Sequence, residues 1–133
     1  MIQFEKYIGI PFEDRGQSME SSDCYGLVRL VYKQELGLVI PEFNSSCADT
    51  RRIFSDYLKQ ISEHWDLVTE ETKPFDVIAM AYDHDHPKIV QHFGIYIGNG
   101  MMLQTLKGIG AFTIKVSEYQ HYVKGIYRWR AST

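Results

Sequence analysis

The sequence predicts an α+β domain in which N-terminal helices pack on an antiparallel β-sheet of about five to six strands. Three observations predict it. Apolar residues of the first half recur at helical spacing, those of the second half alternate with a period of two, and the two kinds of segment are not interleaved. At 133 residues, with 44% hydrophobic and 23% charged residues, the chain is expected to form one folded domain over 1–133.

The elements follow in order. Residues 2–8 suit a short helix stopped by Gly9-Ile10-Pro11, and 12–22 read as a polar loop. Cys24, Leu27, Val28, Val31, Tyr32 and Leu36 then share one helical face, with Asp23 or Ser22 as N-cap and Gly37 as the stop. A second amphipathic helix is expected over 46–61 through Ile53, Phe54, Tyr57 and Leu58, with Ser46 and Asp49 spaced as a capping pair. The β-rich segments are 76–82, 89–98, 101–106, 111–116 and 123–130, separated by the turn sequences DHDHP, GNG and KGIG. Residues 65–68 suit an edge strand.

Composition excludes several functions. The net charge of -3 and a pI of about 5.9 give no basic face for nucleic acid. Two cysteines make no disulfide framework, and a Cys24–Cys47 bridge is not expected. The start MIQFEKYIG lacks the basic and apolar regions of a signal peptide, and no apolar run is long enough for membrane insertion. The expectation is synthesis in the cytoplasm and delivery by another route. DHDH at 83–86 suggests a metal cluster, but no second set of ligands answers it, so no metal or cofactor is expected and a solvated turn is preferred.

Cys24 stands where a helix begins. A thiol pKa near 8.5 can fall to about 3.5–7.5 at such a position, because unpaired N–H groups and the helix dipole favour the thiolate. The same N–H groups suit an oxyanion, and Gly26 is expected to leave room for a substrate. The competing reading is a small buried hydrophobe. A thiolate needs a base. Of five histidines, His64 and His121 carry no motif and His84 and His86 sit in the turn, whereas His92 lies in QHFGIYIGNG. There His92, Gly94 and Tyr96 share one strand face, and Gly94 beside the histidine suggests close approach of a ligand. Gln104 on the next strand is the candidate to orient the imidazole. A three-residue loop Gly98-Asn99-Gly100 pairs Gly94 with Gln104 and puts the amide on the His92 face. A two-residue Asn-Gly loop puts it opposite Ile95, on the wrong face.

These residues carry a resemblance. YIGIPF (7–12), DCYGL (23–27), HFGIYIG (92–98) and Gln104, twelve positions after His92, are similar to the ordered motifs of NlpC-type papain-like cysteine peptidases. The resemblance covers nearly the whole chain. It implies a papain-like fold, Cys24 as nucleophile, His92 as base, Gln104 as orienting residue, and peptide stems of bacterial peptidoglycan as substrate. It also implies substrate contacts from Tyr7, Phe12, Asp23 and Tyr25, with Phe12 and Tyr25 lining the cleft. DCYGLVRLVYKQELGLVIPEF is especially similar to versions in phage tails and prophages, which implies tail-tip proteins as partners and action in a virion or at the wall. The chain departs from cell-wall recycling members at Tyr25 (usually Ser), at Phe12 (usually Tyr) and at 14–16, where DRG replaces Trp-Gly-Gly. A non-enzymatic tail component on the same fold, and a related amidase or acyltransferase, are the alternatives.

Overall fold

The computed structural model describes residues 3–43, 46 and 49–130. The chain opens with a single 3-10 turn, Glu5–Tyr7, where the sequence suggests a short helix. Helix α1, Cys24–Val31, begins at the cysteine because Asp23 is its N-cap, accepting a hydrogen bond from the Gly26 amide. The helix then widens into a π-turn over Tyr32–Leu36, which ends at Gly37 with a left-handed φ of 66°. Helix α2 spans Thr50–His64, later than expected at both ends. Its start moves because Asp49 Oδ1 caps the Arg52 amide, while the Ser46 hydroxyl donates to Asp14 instead. Its end moves because the helix runs directly into strand β1, Trp65–Leu67. Cys47 lies outside the described residues.

The other strands are β2 (Val77–Met80), β3 (His92–Gly98), β4 (Met101–Leu106), β5 (Gly110–Lys115) and β6 (Val123–Trp129). They form one six-stranded sheet in the order β1-β6-β2-β3-β4-β5 with every pairing antiparallel. The sequence did not signal the 3-10 segment Val116–Tyr122. It is needed because β5 lies at one edge and β6 must cross back beside β2.

The sheet has two apolar faces of different depth. Val77, Ala79, Phe93, Ile95 and Leu103 pack with Leu27, Val28 and Val31 of α1 in the main core. Ile78, Met80 and Met102 form a smaller cluster on the opposite face, under Tyr119 and Tyr122 of the 3-10 segment. Directly paired residues share a face, so the pairing Met80↔His92 puts His92 on this second face.

The loop before α1 is tied tightly to the helix start. Arg15 N–H donates to Asp23 Oδ2, and Asp23 N–H donates to the Gly16 carbonyl. A Cβ on Gly26 would lie 1.9 Å from that same Gly16 oxygen. Gly26 therefore makes room for the chain's own loop, not for a substrate as the sequence suggests. Because the blocking atom is backbone, Gly26→Ala should destabilise the domain by about 3 kcal/mol, read as a lower urea midpoint; a midpoint within error of the parent would mean that the loop yields without cost.

Candidate active site

Cys24 and His92 reach the same place from opposite faces of the sheet. Cys24 is the first residue of α1, and His92 is the first residue of β3. At that rim the Cys24 sulfur lies 3.8 Å from the carbonyl oxygen of Gln91, the residue before His92. Both side chains border an open cleft of about 340 Å³, together with Phe12, Tyr82, Thr105 and Lys107. On its other side Cys24 borders a narrow recess beside Arg15, Asp23, Tyr25 and Arg29.

Gln104 reaches His92 by a route the sequence reading did not foresee. The β3–β4 hairpin has the two-residue loop, closed by the pair Gly98↔Met101. Asn99 and Gly100 both have positive φ, 54° and 76°, as this tight turn requires. Uninterrupted, that turn would put Gln104 opposite Ile95. A bulge at Ile97 shifts the register, so that Tyr96 faces Met102 and Ile95 faces Leu103. Continued by one residue, the new register puts Gly94 opposite Gln104. The side chain lands on the His92 face, and Gln104 Oε1 lies 2.8 Å from His92 Nε2.

An amide oxygen only accepts, so His92 Nε2 carries the hydrogen and Nδ1 is left as the acceptor. The imidazole is 5% exposed. Burial pushes its pKa from 6.5 down to about 4, and the Gln104 hydrogen bond works in the opposite direction. The ring is therefore neutral near pH 7 and able to take a proton. Tyr82 covers it with ring centroids 5.3 Å apart, and Tyr82 is itself held by Tyr119 and Tyr122.

The sequence profile of the NlpC/P60 family matches residues 9–128. The chain belongs to the NlpC/P60 family. A gamma-DL-glutamyl hydrolase of Bacillus subtilis is 29% identical over 105 residues, 75% of this chain and 21% of that protein. This chain thus spans about a fifth of the length of that curated relative. NlpC2 of Trichomonas vaginalis superposes with a TM-score of 0.72 at 22% identity, over 95% of this chain and 44% of that one. The NlpC/p60 domain of the peptidoglycan hydrolase SagA superposes with a TM-score of 0.62 at 19% identity, over 92% of this chain and 90% of that one. The papain-like α+β fold is thus that of known NlpC/P60 proteins.

Other expected contacts fall elsewhere in this NlpC/P60 domain. Tyr7 is fully buried, and its hydroxyl donates to Glu35 at 2.7 Å, so it anchors the core and does not border the cleft. Tyr25 is also buried, stacked on Phe43 at 3.8 Å, with its hydroxyl on the Pro41 carbonyl. It borders the recess and not the open cleft that Phe12 lines. Asp23 also borders the recess, but both of its oxygens already accept backbone N–H groups, from Gly26 and Arg15. Burial raises its pKa, and those two hydrogen bonds oppose the shift. Gly94 leaves space for Met102 and Met80, whose side chains would lie 3.0 and 3.4 Å from an added Cβ, and not for a ligand.

Tyr82, Thr105 and Lys107 border the cleft without having been singled out in the sequence. Each lies beside a strand end, and no local motif marks it. Among the described residues no group of three or more His, Cys, Asp or Glu side chains could hold a metal. In the DHDH turn, His86 Nδ1 pairs with Asp83 at 3.1 Å.

The low pKa of His92 has a consequence for stability. Between pH 6.5 and about 4 the unfolded chain binds a proton that the folded chain does not. Stability therefore falls as pH drops through that window, by up to about 3 kcal/mol from this group. Urea unfolding of Cys24→Ser and Cys24→Ser/His92→Gln proteins should show the second losing less stability between pH 7 and 4. Parallel pH curves would show that His92 is not held neutral by burial.

Proposed function

We propose that this domain is a cysteine endopeptidase acting on peptide stems of bacterial peptidoglycan, with Cys24, His92 and Gln104 as its catalytic residues. The observation that carries the reading is the convergence on one cleft of a helix-start thiol and a buried imidazole oriented by an amide. Family membership and the hydrolases among the similar proteins support the choice of substrate.

The geometry suits acyl transfer. The thiol proton passes to His92 Nδ1 and the sulfur attacks the amide carbonyl. Backbone N–H groups at the start of α1 hold the oxyanion, in the positive field of the helix N-terminus. The C–N bond breaks as His92 returns the proton to the departing nitrogen. Water, deprotonated by His92, then attacks the thioester carbonyl. The C–S bond breaks, releasing the carboxylic acid and regenerating the thiol. Gln104 contributes orientation. By accepting from Nε2–H it fixes the tautomer in which Nδ1 is the base, and it steadies the imidazolium without adding charge.

Placement in a phage tail or prophage particle belongs to the same proposal. It rests on the similarity of the 23–43 segment to tail versions and on the net charge of -3, which gives no attraction to an anionic wall. A tail-tip partner would raise the local concentration of the domain at its substrate.

Cys24→Ala and His92→Ala should each abolish release of stem fragments from purified peptidoglycan, read by mass spectrometry, because the two act as one unit. Gln104→Ala should leave measurable turnover, lower by roughly 10²-fold. Unchanged turnover in Cys24→Ala would end the cysteine-peptidase reading, and equal loss in all three variants would end the purely orienting role of Gln104. The assembled tail should digest intact wall faster than the isolated domain does. Equal rates would favour a free-standing lysin.

A further inference from the structure

Gln91 stands immediately before His92 and meets three parts of the site at once. Strand β2 pairs with β3 as far as Met80↔His92, and its pairing with β6 slips between Ala79 and Met80. Past Met80 the chain leaves the ladder, so its backbone amides need other acceptors. Ala81 N–H donates to the Tyr122 carbonyl at 2.9 Å. Tyr82 N–H donates to the side-chain oxygen of Gln91 at 2.6 Å, and Asp83 N–H reaches the same oxygen at 3.4 Å. Gln91 N–H donates to the Met80 carbonyl at 3.1 Å, and the Gln91 carbonyl lies 3.8 Å from the Cys24 sulfur. One residue thus ties the end of β2 to the thiol and to the start of β3.

We infer that Gln91 is a positioning residue of this site, whose side chain holds the chain end of β2 so that the Tyr82 ring covers His92. The inference rests on the peptidase reading for the role of His92, but not for the contacts. Tyr82 stacks on Tyr119 at 5.8 Å and meets Tyr122 edge-on at 4.9 Å. Those rings set what lies against Tyr82. The directional bond to Gln91 sets where its backbone stands relative to the residue next to His92. The groups that face the imidazole carry no charge that would act in place of this cover. Gln104 on β4 is a neutral amide, and Tyr82 brings a phenol. Further out, His121 lies on Tyr122 at 3.9 Å, and Asp83 is paired with His86 at 3.1 Å. Cys24 and Lys107 border the same cleft. Removing the Gln91 acceptor therefore acts on His92 by uncovering it. Water reaches the ring, its charged form becomes less costly, and its pKa rises.

The test reads the imidazole itself and needs no substrate. The His92 ring signals of Cys24→Ser protein are titrated by NMR, alone and combined with Gln91→Met, Tyr82→Leu or both. Gln91→Met keeps the volume and removes the acceptor. It and Tyr82→Leu should each raise the His92 midpoint by about one pH unit or more. The protein carrying both changes should match Tyr82→Leu, because Gln91 works through Tyr82. Gln91→Met should also lose the nuclear Overhauser contacts between the Tyr82 and His92 rings, and Gln91→Glu, which keeps the acceptor, should retain them. Gln91→Asn, which withdraws the acceptor by one methylene, makes the same comparison should Gln91→Met not fold. Ring contacts and a midpoint unchanged when the acceptor is removed overturn the inference, as does a doubly substituted protein whose shift is the sum of the two single shifts. Turnover of purified peptidoglycan by protein with Cys24 intact is read separately. A midpoint that depends on Gln91 through Tyr82, without hydrolysis, supports the positioning role and counts against the peptidase reading. Hydrolysis with a midpoint indifferent to Gln91 does the reverse.

Discussion

His92 Nε2 and Gln104 Oε1 meet at 2.8 Å across two strands that would turn Gln104 to the opposite face but for one extra residue at Ile97. A tight Asn-Gly turn is a favoured way to close a hairpin, and its geometry fixes the first pair of the ladder. The site needs the register one residue away. The bulge reconciles the two, and the His92–Gln104 hydrogen bond depends on it. Without it Gln104 would enter the main core beside Leu27 and Val28, and His92 would lose the acceptor that fixes its tautomer.

The helix side of the site is set by backbone. The loop before α1 closes on the helix start through the Gly16 carbonyl, which receives the Asp23 N–H and occupies the space where Gly26 has no side chain. Asp23 adds two hydrogen bonds, one to the loop and one to the helix. Together they fix where the first helical turn begins, and so where the Cys24 sulfur stands against the start of β3. Residues that resemble substrate contacts by motif are partly consumed by this construction. Asp23 is occupied as a cap, and Tyr7 ties the N-terminal turn to Glu35.

The two faces of the sheet also set the electrostatics. His92 sits on the thinly covered face, yet it is buried because Tyr82 lies over it and the 3-10 segment holds Tyr82 in place. That cover keeps the ring neutral while leaving the rim open towards Cys24.

Much of this was legible in the sequence because it is encoded locally. Helical spacing after Asp23 marked α1, alternation marked each strand, and the order of Cys24, His92 and Gln104 marked two residues now found on one cleft and the buried amide that holds the second of them. Ser46 as a helix cap was misread because Asp14, distant in sequence, takes its hydroxyl. That a two-residue hairpin loop still leaves Gln104 on the His92 face is not legible in the sequence, because a bulge leaves no compositional trace at Ile97. Tyr7, Tyr25 and Gly94 look like site residues along the chain, but packing decides what a side chain faces. Tyr82, Thr105 and Lys107 look like nothing until β2, β4 and the β4–β5 turn are brought to one rim. The sequence by itself determined the elements and the candidate chemistry, since periodicity, capping and motif order are properties of neighbouring residues. Only the tertiary structure decided which of those residues share a cleft, because burial and register depend on contacts between segments far apart in the chain.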